Sequence, residues 1–186
     1  MAEILLSSEK FIKEVSSISD NIAGKYILPS LREAQEQGLK SILGDALLAK
    51  LKDVVASGQD GRADNARYVA LIDRCQYYLA YSAIVEVTAK VSYKIGNFGV
   101  AKTSDENMQV ASQDEIAKMQ YYYQSKADAC CLDLQNYLLD NRADYPELSE
   151  HQCYRIESNL HSAATCGVWL GGARGKGPYP KRRRRV

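Results

Sequence analysis

Histidine is nearly missing from this sequence: His151 and His161 are the whole supply in 186 residues. They stand ten positions apart, beside no cysteine cluster and no carboxylate pair, so they do not form a zinc-ligand pattern. No G-x-S-x-G occurs, and none of the cysteines has a recognisable histidine partner, which leaves no nucleophile arrangement to build on. The five cysteines (Cys75, Cys130, Cys131, Cys153, Cys166) are odd in number and include no C-x-x-C. They read as reduced thiols of a protein made inside a cell. Cys130 and Cys131 are adjacent on an expected helix and point to different faces, so the cysteines are expected to be buried small side chains rather than metal ligands. No apolar run reaches the roughly 18–20 residues of a transmembrane helix. The Met1–Ser7 stretch is too short and too acidic for a signal peptide.

Phosphate and calcium loops fail on the same kind of inspection. Around Gly175-Lys176, the P-loop pattern would need a glycine where Leu170 stands and a Ser or Thr where Gly177 stands, and Pro178 and Pro180 block a following helix. Asp140, Asp144 and Glu147 lack the spacing of a calcium-binding loop and read as a solvated face. No catalytic residue, cofactor or metal is therefore expected, and the chain reads as a non-enzyme.

Phenylalanine and tryptophan are scarce as well, with two and one respectively, but tyrosine is abundant at 13. A tyrosine offers large apolar area with a polar tip, which suits the rim of a core or a surface buried on assembly. Charge is unevenly placed. The last thirteen residues, Arg174–Val186, hold seven of the 24 Lys and Arg (Arg174, Lys176, Lys181, Arg182, Arg183, Arg184, Arg185) and no acid. The seventeen remaining bases face 23 acids, so a body near −6 carries a tail of +7, hidden in a total of +1. Such a run repels itself and calls for solvent or an anionic partner. Four arginines in a row could neutralise nucleic-acid phosphates or bind carboxylates bidentately. Trp169, Leu170 and Tyr179 supply apolar anchors between the charges. An acidic body on a second copy would complement them, and head-to-tail contacts of that type close into rings.

Apolar spacing predicts an all-α domain over residues 1–162, followed by an extended basic C-terminal arm over 163–186. A first helix is expected over 7–24, ended by Gly24, with Phe11, Ile12, Val15, Ile18 and Ile22 on its apolar side. A second opens at Pro29, suited to a first turn, and breaks at Gly44; Asp45 then caps a third, closed by Ser57-Gly58. Two long helices, about 66–92 and 112–140, should pack as an antiparallel hairpin. The first carries a stripe of Tyr68, Leu71, Ile72, Cys75, Leu79 and Ala83, with its end left open between Val85 and Ile95 by β-branched residues. The second opens on a Ser112–Glu115 capping box and runs Ile116, Met119, Tyr123, Ala127, Cys130, Leu134 and Tyr137-Leu138 along one face. Between them lies a long loop, with a possible β-hairpin turning at Gly96-Asn97 and a possible partner contact at Asn97, Phe98 and Lys102. Ser149 with Gln152 should cap a last short helix.

The stretch from Pro29 to Leu48, with Ala34-Gln35 ahead of Ile42-Leu43-Gly44, resembles the opening helices of head–tail connector (adaptor) proteins of tailed bacteriophages, especially a group from phages of gut Bacteroidales. The Phe98-Gly99-Val100 loop and the Gly167-Val-Trp-Leu-Gly-Gly-Ala-Arg ending are similar too. The resemblance implies a virion structural protein: a homo-oligomeric ring, commonly of twelve copies, beneath the portal in the virion neck, assembled from chains made in the host cytoplasm. It implies contacts with the portal and with the next tail or neck protein, DNA passing through the channel, and no membrane. It also implies a C-terminal arm that reaches the portal, a position taken here by Trp169, Leu170 and Arg174 to Arg185. The alternative is a small nucleic-acid-binding accessory protein acting through the same arginines; a site assembled only between subunits would make it an enzyme.

Overall fold

The computed structural model describes residues 4–19, 21–58, 65–96, 99–102 and 112–164. Among the described residues the fold is all-α with one two-stranded β-hairpin. Helix α1 spans Glu9–Val15, α2 Gly24–Glu33, α3 Lys40–Ala56, α4 Ala66–Ser92, α5 Gln113–Asp140 and α6 Glu150–Ala164. A π-helical stretch, Ala34–Leu39, joins α2 to α3, and a single 3-10 turn, Arg142–Asp144, follows α5.

The two long helices form the frame. Arg74 meets Asp133, Tyr81 stacks near Tyr123, and Gln120 donates to the carbonyl of Val85, so α4 and α5 run antiparallel along one another. The expected α4 stripe is buried: Leu71, Cys75, Leu79 and Ala83 are fully enclosed, with Tyr68 and Ile72 nearly so. Its β-branched end stays helical to Ser92, because Val87 is buried and Thr88 turns its hydroxyl back onto the Ile84 carbonyl. On α5, Tyr123, Ala127, Leu134 and Leu138 are buried as expected. Met119 is instead exposed and Cys130 only partly covered, while Gln135 takes a buried place. Among the described residues only α4 packs extensively along α5, so the buried arc is narrower than the expected apolar face suggests.

The amino-terminal region differs from the single helix expected over 7–24. Helix α1 is capped by Ser8, whose hydroxyl accepts from the Phe11 amide, and it stops at Val15. Serines end it: Ser16 donates to the Ile12 carbonyl and accepts from the Ile18 amide, and Ser17 bonds the Tyr123 hydroxyl through both its amide and its own hydroxyl. Side chains that hydrogen-bond the local backbone offer an alternative to helix, and here they take it. Gly24 opens α2 rather than closing α1. Pro29 accordingly sits inside α2, not in its first turn, where its missing N–H costs one hydrogen bond on an exposed side. Ahead of α1, the chain is held by the fully buried Gln35, which accepts from the Leu6 amide at 2.9 Å and donates to the Ile4 carbonyl at 3.0 Å.

Gly44 breaks α3 as its sequence suggests, with φ 78° and ψ 169°. Asp45 does not act as the cap that its position suggests; its carboxylate pairs with Lys40 across the bend at 2.8 Å. At this bend the side chain of Gln152 on α6 donates to the carbonyls of both Ser41 and Ile42. Ser149 accepts from the Gln152 amide at 3.2 Å as an N-cap should, but the Gln152 side chain is drawn away to α3. Ser57 and Gly58 end α3, Gly58 in the left-handed region at φ 60°.

After α4, β1 (Tyr93–Gly96) pairs antiparallel with β2 (Gly99–Lys102). Gly96 pairs with Gly99 and so stands in the ladder, not in the Gly96-Asn97 turn expected; between the two glycines in sequence come Asn97 and Phe98. Those two residues, and the reading of them as a contact, lie outside the described residues; Lys102 ends β2 opposite Tyr93. The Ser112–Glu115 capping box is formed in both directions.

Candidate functional site

One groove in the α4–α5 hairpin gathers charged and aromatic side chains. Asp73, Arg74 and Tyr77 come from α4, with Asp73 and Tyr77 four residues apart and so on one face. Helix α5 contributes Ala129, Asp133 and Tyr137 at successive four-residue steps, with Cys130 beside them. Ala70 and Ala129 leave the space that larger side chains would fill, and the groove encloses about 600 Å³.

A guanidinium already sits in this groove. Arg74 lies 2.7 Å from an Asp133 carboxylate oxygen and 4.3 Å from the centre of the Tyr137 ring. A cation thus meets a carboxylate and an aromatic face together, the two groups to which arginine is best matched. Tyr137 is itself braced from behind. Its hydroxyl is 3.1 Å from that of Tyr145, which is buried and donates to the Arg67 carbonyl at 2.8 Å. The Tyr145 ring packs edge-on against Tyr68, whose hydroxyl donates to Glu147 at 2.8 Å. Burial raises the pKa of both Tyr68 and Tyr145, and for Tyr145 the Tyr137 hydroxyl adds to it, so the cluster stays protonated and neutral.

The opposite wall is open. Tyr77 forms a T-shaped pair with Phe11 at 5.3 Å between ring centres but remains 46% exposed. Asp73 is exposed and joins no ion pair among the described residues. Cys130 has its thiol pKa raised, first by burial and then by Asp133, so it is poorly suited to nucleophilic chemistry. Among the described residues no group of three or more His, Cys, Asp and Glu could hold a metal ion, and no helix is long and apolar enough to cross a membrane.

Cations over tyrosines recur elsewhere. Lys126 lies 4.6 Å from the Tyr122 ring centre and 5.2 Å from Tyr81, Arg67 lies 4.9 Å from Tyr68, and Lys25 lies 5.0 Å from Tyr26. The tyrosines divide between core and surface. Tyr68, Tyr123 and Tyr145 are buried, whereas Tyr121 (76% exposed) and Tyr154 (70%) stand in solvent with Tyr77 and Tyr122.

None of the contact residues expected from the sequence can be placed on this geometry. Trp169, Leu170, Arg174, Lys176, Tyr179 and the run from Lys181 to Arg185 all lie outside the described residues. The groove itself was not singled out by sequence reasoning. Its signal is faint: an Asp-Arg pair followed at four residues by a tyrosine on α4, and Asp133 with Tyr137 at the same interval on α5.

No curated protein and no solved structure gives a significant match to the chain. A family model matches residues 39–158, which contain α3, α4, α5, the groove and most of α6, and leave out the arginine-rich end. The chain therefore belongs to DUF6712, a family of unknown function.

Proposed function

We propose that this protein is a structural ring subunit of a phage neck, joining the portal vertex to the tail and forming part of the DNA channel. The observation that carries the reading is the surface of the helical body. Eight large apolar side chains of the described residues are exposed, four of them tyrosines, on a chain whose core is already filled. Tyrosine-rich surfaces of this kind are what association buries. The split of a near −6 body and a +7 tail supplies the complementary charge, and the segments that resemble connector proteins supply the context. In this reading the α4–α5 hairpin builds the wall of a ring, commonly of twelve copies, and the C-terminal segment makes a contact with the portal or with a neighbouring subunit.

Mass photometry of the purified chain, alone and mixed with a portal ring, tests this. Rings of the chain, or a portal complex carrying a full complement of it, are the expected result. A chain that stays monomeric or dimeric and leaves the portal unchanged would remove the proposal.

Arg182 to Arg185 favour a second reading, a nucleic-acid-binding accessory protein. Its mark would be tight DNA binding that falls steeply with salt and vanishes when the four arginines are replaced, without any portal association.

A further inference from the structure

We propose that the α4–α5 groove is a receptor for arginine, and that its occupant is the Arg182–Arg185 run of a second copy of this chain. The proposal rests on the ring reading above and names the contact that would link one subunit to the next.

Three observations carry it. First, the groove demonstrates its own chemistry: Arg74 is held between the Asp133 carboxylate and the Tyr137 ring. Second, the facing wall offers the same pair of groups again. Asp73 and Tyr77 lie on one face of α4, both exposed, and no described cation pairs with Asp73. A guanidinium entering from outside would find a carboxylate and an aromatic ring at the same four-residue spacing as the Asp133 and Tyr137 pair that holds Arg74. Third, the charges match between copies. The tail has seven cations and no acid, while residues 112–164 hold nine Asp and Glu against four Lys and Arg. From Ala164 to Arg182 there are eighteen residues, which can span at most roughly 60 Å when extended. That distance is ample to reach a neighbouring subunit. A tail on one copy and a groove on the next make a heterologous contact, the kind that closes into a ring.

The test uses two full-length variants and sedimentation velocity. One carries Asp73→Lys with Tyr77→Ala, which removes the groove's open carboxylate and ring; the other carries glutamine at each of positions 182 to 185, which removes four of the tail's seven positive charges. Wild-type chain should self-associate, and each variant alone should associate at least about tenfold more weakly, a loss of about 1.4 kcal/mol. An equimolar mixture should form one-to-one pairs, because one partner keeps its tail and the other its groove. Raising the salt should dissolve those pairs. Tyr77→Phe should associate as wild type, since the ring face rather than the hydroxyl receives the cation. Far-ultraviolet circular dichroism establishes that each variant is folded. If wild-type rings form and either variant assembles as well as wild type, the groove assignment is wrong and the ring reading survives. If the mixture fails to pair, a tail bound within its own chain is the better account and the proposal falls. If wild-type chain associates neither with itself nor on a portal, both readings fall.

Discussion

Two residues at one bend show how local backbone chemistry and a distant side chain depend on each other. Gly44 has φ 78° and ψ 169°, a region that only glycine occupies comfortably. Space is not its constraint, since an added Cβ would lie 3.8 Å from the Gln152 side chain, an ordinary contact. Gly44→Ala should therefore cost about 1–3 kcal/mol through backbone strain alone. Gly58, at φ 60°, lies in the left-handed region that asparagine tolerates, and no atom would meet its Cβ. Gly58→Asn should accordingly change stability by only a few tenths of a kcal/mol. Urea unfolding of the two variants side by side checks both values. Gln152 makes the other half of the bend, donating to the Ser41 and Ile42 carbonyls while itself nearly buried. Gln152→Leu would fill similar space and remove the donor that those carbonyls share, at a cost of about 1–3 kcal/mol. A Gln152→Leu midpoint unchanged from wild type would show that the bend does not need this amide.

At the scale of elements, helix ends proved more legible than helix joints. The Ser112 capping box can be read directly as S-x-x-E, and the structure forms both of its hydrogen bonds. Ser112→Ala should lower stability by about 1 kcal/mol and fray the first turn of α5, seen as faster amide exchange at Glu115 and Ile116. The α1–α2 joint could not be read in the same way. Hydrophobic spacing runs unbroken from Phe11 to Ile22, yet the helix ends at Val15 because Ser16 and Ser17 find other partners. One of those partners is Tyr123, 106 positions away in sequence, and no local pattern announces it. Gly96 stands in the ladder rather than in the expected turn for a comparable reason. Pairing of Gly96 with Gly99 fixes the register, and pairing is a property of two strands rather than of one dipeptide.

Over the whole molecule, buried acids of high pKa set the alkaline limit of the fold. Burial raises the thiol of Cys75 above its ordinary 9.0 and the phenols of Tyr68, Tyr78 and Tyr145 above their ordinary 10.0. The folded chain keeps these protons when the unfolded chain has released them. Stability from this source is complete below pH 9.0 and is lost as pH rises through the tyrosine range. Urea midpoints should be level from about pH 7 to 8.5 and then fall, with Cys75→Ala softening the first part of the decline. Glu36 acts in the opposite direction. Its pKa is lowered chiefly by the hydrogen bond from Lys52, so its small contribution is present near neutrality and is lost as pH falls through the carboxylate range. Both groups of Glu36 and Lys52 are partly exposed, so this effect should be minor and should shrink further in high salt.

The sequence by itself determined the helical class, the start of α4 and the limits of α5 to within a residue or two, the break at Gly44 and most of the core, while the end of α4 stayed open between Val85 and Ile95. These follow from local rules: apolar spacing at 3.6 residues, a capping pair, and a glycine where the backbone must turn. It also determined the separation of charge between body and tail, which needs only counting. Tertiary structure alone decided which polar side chains serve the backbone, as with Gln35 on the Ile4–Leu6 segment and Gln152 on α3. It alone put Tyr145 in the core and left Tyr121, Tyr122 and Tyr154 at the surface. It also placed Asp73 and Tyr77 of α4 across from Asp133 and Tyr137 of α5. Each of these depends on two stretches far apart in the chain arriving at one place, which spacing within a single helix cannot specify.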